Sequence, residues 1–314
     1  MSKCLYCYQT LAQTDVDYHP KCIKAFFGNQ QAPVLPYRYS EIEKLAKEVA
    51  KQSITVPGVQ PKLSLGWSKV KTPNNPYGRL TIVDALDGHY ILKPQNSEYE
   101  QMPENEHLSM KLAELFKIDI VPANMIRLAS GELCYITKRI DRNADGSKNH
   151  MIDFLQILEL ADKYMGTMEN LGKTIGELSI NTVLDKLRFF EATVFNYVIG
   201  NNDMHLKNYS MLLTNEGWTL APFYDLINVK LVLTKDKEEC ALLLGGKKEN
   251  LSKQYFDHLG AVLKLNNKQI QAVYKRLAKW LPPALLLINN SFLNTHHKGK
   301  YKKLITERTS LFYT

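Results

Sequence analysis

"GNNDMHLKN", residues 200–208, places Asp203, His205, Lys207 and Asn208 within nine residues. It follows "FFEATVFNYVIG", residues 189–200, an apolar run that reads as a buried helix. A polar loop with a helix cap is one account of this juxtaposition. A loop that positions reacting groups is the other. The surrounding sequence has to decide between them.

Bulk properties narrow the field. A chain of 314 residues with 45% hydrophobic residues can bury a large core and fits two lobes sharing one architecture. The net charge of +8 suits an anionic partner such as a nucleotide or nucleic acid, but many basic proteins have none. No apolar h-region follows the first Met, and no run reaches the ~20 residues of a membrane helix. The longest, "WLPPALLLINNSFL", is broken by Pro282, Pro283, Asn289 and Asn290. Five cysteines, three of them in the first 22 residues, are not a disulfide framework, so the reducing cytoplasm is expected and no membrane.

Those three cysteines lie in a distinct head, "CLYCYQTLAQTDVDYHPKCIKAFFG". Cys4-x2-Cys7 and His19-x2-Cys22, separated by 11 residues, form two close pairs that suit a tetrahedral zinc site. A segment this short has little core, so a metal would hold it together. The alternatives are three unrelated thiols, or a redox pair at Cys4 and Cys7; the latter lacks the preceding strand of a thioredoxin-like unit.

After the Pro-rich "APVLPYRY", the stretch "SEIEKLAKEVAKQ" predicts a helix with Ser40 as N-cap and Glu43 closing the capping box. Residues 54–142 read as strands. "TIVDALDGHYILKP" reads as strand, Asp-Gly turn, strand, and "ANMIRL" and "LCYITKRI" as a hairpin around "ASGE". The helix "ENEHLSMKLAELF" intervenes. From residue 150, "MIDFLQILELADKY", "NTVLDKLRFFEATVFNYVIG", "NKQIQAVYKRLAKWL" and "GKYKKLITERTSLF" carry the helical period, interrupted by the strands "YSMLLT" and "WTLAPF". The expected fold is α+β and two-lobed: a head over 1–32, a small antiparallel-sheet lobe over 33–142 and a mostly helical lobe over 143–314.

This outline suggests phosphoryl transfer, which needs a turn over the phosphates, a cation, a positioned carboxylate and metal ligands. The turn "TVPGVQPKLSL" offers Gly58, although taken alone it reads as an ordinary hairpin turn. Lys93 ends the strand "HYILKPQ" on the face of Ile91, an apolar setting that is costly for a cation without a partner. Glu106 is the candidate partner and Glu104 the substitute. Asp203 and Asn208 stand as D-x-x-x-x-N, the spacing of the protein-kinase catalytic loop. Asp225 in "LAPFYDL" follows the second hairpin, where a kinase places its magnesium-binding Asp; read alone it is a helix N-cap. Each signal is weak, but their order along the chain is that of a kinase.

Together, "TVPGVQPKLSL", "YILKP", "ENEHLSMKLA", "YITKRIDR", "GNNDMHLKNYS" and "LAPFYDL" resemble the HipA-type serine/threonine kinases, toxins of bacterial HipA/HipB toxin–antitoxin modules, over roughly residues 53–228. The resemblance implies a two-lobed protein-kinase-like fold and use of ATP and Mg²⁺. It implies that Asp203 is the catalytic Asp, that Asn208 and Asp225 hold magnesium, and that Lys93 is the ATP lysine. It implies a phosphate-covering loop at Pro57, Gly58, Val59, Gln60, Pro61 and Lys62. Lys138, Arg139 and Ile140 would meet the adenine, and His205, Lys207 and Tyr224 complete the nucleotide site. Thr55, with Ser53 beside it, matches the autophosphorylated position. Addition of about two negative charges would move that loop away. Implied partners are a HipB-like helix-turn-helix antitoxin, DNA only through it, and a protein substrate such as an aminoacyl-tRNA synthetase. Family members carry a further N-terminal subdomain that this sequence lacks, so a separate small protein replacing it is a further expected partner. A small-molecule phosphotransferase of the same fold and an inactive subunit of a repressor complex remain the competing readings.

Overall fold

A computed structural model describes residues 2–52, 62–68, 78–84, 87–143 and 145–313. Ser53, Thr55, Pro57, Gly58, Val59, Gln60 and Pro61 lie outside the described residues. The chain divides into two compact units, Met1–His107 with Val121–Ser147 and Asn290–Phe292, and Leu108–Ile120 with Lys148–Asn289 and Leu293–Thr314.

The first unit opens with helix α1 (Pro20–Phe27) and helix α2 (Tyr39–Gln52). The predicted cap of α2 is corrected: the helix starts before Ser40, and Glu41 Oε2 accepts from the Arg38 amide at 2.7 Å, two residues earlier than the Ser40–Glu43 box. Tyr39 N–H finds Ser130 Oγ at 2.8 Å, so a tertiary partner supplies what the sequence assigned to Ser40.

Strands β1 (Leu63–Ser68), β2 (Arg79–Ile82), β3 (Tyr90–Lys93), β4 (Ala123–Arg127) and β5 (Leu133–Lys138) form an antiparallel sheet in the order β2-β1-β3-β5-β4. The expected β4–β5 hairpin is present. The expected hairpin of β2 with β3 is not, because β1 lies between them and pairs with both. The connection crosses β1: Val83 N–H donates to Ser64 O and His89 N–H to Leu65 O. A Cβ on Gly88 would lie 1.9 Å from Ser64 Oγ and 2.9 Å from the Leu65 nitrogen. Gly88 therefore serves a close approach of two backbones rather than a two-residue turn. Leu63, Leu65, Leu80, Leu92, Met125 and Ile136 are buried in and around this sheet. Helix α3 (Met102–Phe116) follows β3, and its residues as far as His107 belong to this unit.

The second unit contains strand β6 (Met151–Asp153), helices α4 (Phe154–Ile157), α5 (Met168–Leu178) and α6 (Thr182–Ile199), strands β7 (Ser210–Thr214) and β8 (Gly217–Leu220), and helices α7 (Lys253–Val262), α8 (Asn267–Asn290) and α9 (Thr295–Ser310). The helix read over 151–164 is corrected to a strand and a single helical turn. Met151–Asp153 pairs with β7, and Asp153 then caps α4, accepting from Gln156 N at 3.0 Å. Strand pairing and capping outweigh the helical periodicity there. Helix α6 is the core element, with Phe189, Phe190, Val194, Phe195, Val198 and Ile199 fully buried. Its Phe195 ring lies against Phe116 and Trp280. Helix α8 continues through Pro282 and Pro283, where the sequence read a break. Two amide donors are lost there, but Trp280, Ala284 and Ile288 are buried and Trp280 Nε1 donates to Leu112 O at 3.0 Å. Among the described residues no helix is long and apolar enough to cross a membrane.

Candidate active site

Lys93 ends β3 and is 4% exposed. Its ammonium donates to Glu106 Oε1 at 2.5 Å, with the carboxylate side chain 1% exposed, and lies 5.4 Å from the Tyr135 ring centroid. Of the two carboxylates weighed, Glu106 takes the lysine. Burial raises the Glu104 pKa above the usual carboxylate value. Two ions removed from water cost several kcal/mol each, which their mutual attraction and hydrogen bond must offset. Beside this pair, β5 runs out into Lys138, Arg139 and Ile140, all half-buried. Arg139 N–H donates to His89 O at 2.9 Å, and its guanidinium makes two hydrogen bonds to Asp141. Burial works to raise the Asp141 pKa; Arg139 and Arg142 outweigh it and hold the carboxyl below the usual range. Lys62 is exposed.

The second unit holds the loop 200–208. Gly200 ends α6 at φ 79°, a left-handed conformation, and its N–H donates to the carbonyls of Asn196 and Tyr197. A Cβ there would also lie 2.6 Å from Leu304 Cδ2 and 2.9 Å from Asn228 Oδ1, so both conformation and space demand glycine. Beyond it the chain folds back on itself. Asp203 O accepts from His205 N at 2.9 Å and from Asn208 Nδ2 at 3.0 Å. The amide nitrogen of Asn208 is thereby tied to the loop, which leaves its Oδ1 as the end able to serve a ligand. Tyr224 OH donates to Lys207 O at 3.1 Å and shares a 2.6 Å hydrogen bond with Ser210 Oγ, joining the "YDL" segment to the loop. Asp225 adopts φ 57°, a conformation that costs a non-glycine residue energy and clusters at functional sites. Lys207 is exposed.

Two residues join this group without a sequence signal. Tyr164 OH donates to Asp203 Oδ1 at 2.7 Å, and Lys163 Nζ to His205 Nε2 at 2.9 Å. The Leu206 amide also donates to Lys163 O, so side chain and backbone both bind the segment to the loop. Burial, and then the hydrogen bond and charge of Asp203, push the Tyr164 phenol up; it stays a donor. His205 is pushed down to about 4, first by burial and then by the Lys163 cation, against the opposing charges of Asp203 and Asp225. It is neutral at pH 7. Since Nε2 accepts from Lys163, the proton sits on Nδ1, which is buried and has no hydrogen-bond partner among the described residues.

This sets a pH dependence. Between pH 6.5 and about 4 the unfolded chain binds a proton that folded His205 refuses. Its contribution to stability is therefore complete above pH 6.5 and is lost as pH falls through that window. Denaturant titrations at stepped pH are expected to show a shallower acid loss for His205→Gln than for the wild type. Identical profiles would contradict the assignment.

The arrangement in both units is that of a kinase-type fold: a buried lysine–glutamate pair on a small antiparallel sheet, and an Asp-x4-Asn loop with a second Asp in a helical unit. The HipA-like C-terminal domain family matches residues 54–285, and the chain belongs to that family. A Haemophilus influenzae protein named provisionally as a kinase is 28% identical over 213 residues, covering 63% of this chain and 59% of that protein. The serine/threonine-protein kinase toxin HipA of Shewanella oneidensis is 24% identical over 201 residues, covering 58% of this chain and 44% of that one. The chain thus spans about half the length of the curated relatives it matches. The solved complex of Shewanella oneidensis HipA with HipB and operator DNA shares the fold, with a TM-score of 0.71 at 18% identity over 96% of this chain and 79% of that one.

Proposed function

We propose that the chain is an ATP- and magnesium-dependent kinase that phosphorylates serine or threonine on a protein and acts as a HipA-like toxin. The observation that carries this reading is the Lys93–Glu106 pair, an arrangement that is expensive to bury and adds little to stability. Its use is to hold an ammonium ready for the nucleotide's phosphates. In the same reading Lys138 to Ile140 meet the adenine, the 57–62 loop covers the phosphates, Lys207 serves the phosphates, and His205 orients the loop that carries it.

Asp203 accepts the proton of the attacking hydroxyl, and the Tyr164 hydrogen bond keeps one of its oxygens in place. Asn208 Oδ1 and the Asp225 carboxylate are hard oxygen donors of the kind magnesium takes, and they would hold it. Bound there, the ion supplies charge neutralisation on the phosphates. Glu106 fixes the ammonium and Asn208 fixes the loop, so both are set before substrate arrives. Thr55, or Ser53, is the autophosphorylation site in this reading. The family and the HipB complex of the Shewanella oneidensis protein support a HipB-like helix-turn-helix antitoxin as partner, with DNA reached through it. A translation component such as an aminoacyl-tRNA synthetase is the proposed substrate.

Purified protein with Mg²⁺, γ-labelled ATP and a bacterial lysate tests the reading. Label on protein serine or threonine is expected. Label confined to small molecules would establish the phosphotransferase alternative, and no label anywhere would favour the inactive subunit.

A further inference from the structure

The nucleotide reading leaves the Cys/His head unused, and the structure gives it a definite form. The donor atoms of Cys4, Cys7, His19 and Cys22 all lie within 4.8 Å of one another. Cys7 Sγ and Cys22 Sγ are 3.4 and 3.8 Å from His19 Nδ1. Zinc bonds of about 2.3 Å to sulfur and 2.0 Å to nitrogen, at tetrahedral angles, set such a pair about 3.5 Å apart. His19 Nε2 lies 3.0 Å from Thr10 O. A carbonyl can only accept, so the ring proton is on Nε2 and the Nδ1 lone pair faces the sulfurs. That outer hydrogen bond is the usual orienting device of a metal-bound histidine.

The backbone agrees. Cys4 N–H donates to Gln9 O and Tyr8 N–H to Cys4 O, a turn that forces Tyr8 to φ 64°. An aromatic residue in that conformation is rare and needs its surroundings to hold it there. All five cysteines are free thiols, so no disulfide closes the head.

The residues beside the four ligands are those that grip the rest of the unit. Tyr8 OH lies 2.8 Å from His107 Nδ1, with the rings edge to face at 5.3 Å between centroids. Tyr18 OH donates to Met125 O at 2.5 Å, and Asp17 pairs with Arg127 at 3.0 Å, both on β4. His107 directly follows Glu106, the partner of Lys93.

We propose that Cys4, Cys7, His19 and Cys22 bind one structural zinc ion, and that the head so closed fixes the Glu106 end of α3 through the Tyr8–His107 contact. Three thiolates and one imidazole fill a tetrahedral shell with no open position, as in structural rather than catalytic zinc sites. The metal site stands independently of the kinase reading; its consequence for the nucleotide lysine rests on that reading.

Native mass spectrometry of the full chain is expected to show one zinc, absent in Cys7→Ser. Cobalt exchange should give a thiolate charge-transfer band and tetrahedral d–d bands. Wild-type protein that neither carries zinc nor binds cobalt this way would overturn the site. Amide exchange over residues 102–107 tests the coupling without any activity assay. Chelation should speed it, and Tyr8→Phe, which keeps every ligand, should speed it roughly 2- to 10-fold while retaining zinc. Unchanged exchange in both would overturn the coupling. If these results hold but no ATP analogue binds the zinc-loaded protein, the kinase reading fails and the metal site stands.

Discussion

Glu106→Ala is expected to destabilise the protein by about 3–5 kcal/mol, because it strands the Lys93 ammonium in a buried site. The Lys93 side chain is 5% exposed, so water cannot take over the role of the carboxylate without opening the structure. The nearby Tyr135 ring offers some compensation, but a cation over a ring at 5.4 Å is worth less than an ion pair with a hydrogen bond. The double variant Lys93→Met/Glu106→Leu removes both charges and is expected to recover most of the lost stability. It should nonetheless lose phosphoryl transfer, since neither replacement can bind phosphate. Urea denaturation of the three proteins, alongside a transfer assay, separates the two effects. A single variant as stable as the wild type, or a double variant that keeps its activity, would remove the argument that this pair is maintained for nucleotide.

Asp203→Asn is expected to lower phosphoryl transfer by about 10²–10⁴-fold while leaving the fold intact. The amide oxygen can still accept the Tyr164 hydrogen bond at the position of Oδ1, and the Asn208 bond goes to the backbone carbonyl, which the substitution does not touch. What is lost is the basic oxygen that takes the hydroxyl proton in the proposed reaction. Thermal melting and ATP-analogue affinity should be close to those of the wild type. Transfer to protein at an undiminished rate would exclude Asp203 as the base. Growth of a bacterium expressing each form gives a second readout, with Asp203→Asn expected to be tolerated where the wild type is not.

Much of the candidate site was legible because most of its proposed residues carry a local signal. Lys93 ends an apolar strand, Asp203 and Asn208 share one short loop after an apolar helix, and Asp225 follows a recognisable hairpin. Lys163 and Tyr164 were not legible. They contact His205 and Asp203 across 42 and 39 positions of chain, and the stretch that ends with them reads as helix. A polar residue in an irregular loop shows no periodicity that could reveal its partner. The pairing of β2 and β3 failed for a related reason: an Asp-Gly turn between two alternating strands is a short-range signal, and nothing short-range announces that β1 will enter between them.

The sequence by itself determined the antiparallel sheet and helical class, the core helix α6 and its glycine end, and the order Lys, Glu, Asp-x4-Asn, Asp, since these follow from periodicity, backbone preference and side-chain chemistry at fixed spacing. Only the tertiary structure decided which glutamate takes Lys93, which way the Asn208 amide turns, that His205 is neutral, and that Cys4, Cys7, His19 and Cys22 of the head meet. Each of these depends on burial and on partners distant in the chain, and burial is what turns a modest local preference into a difference of several kcal/mol.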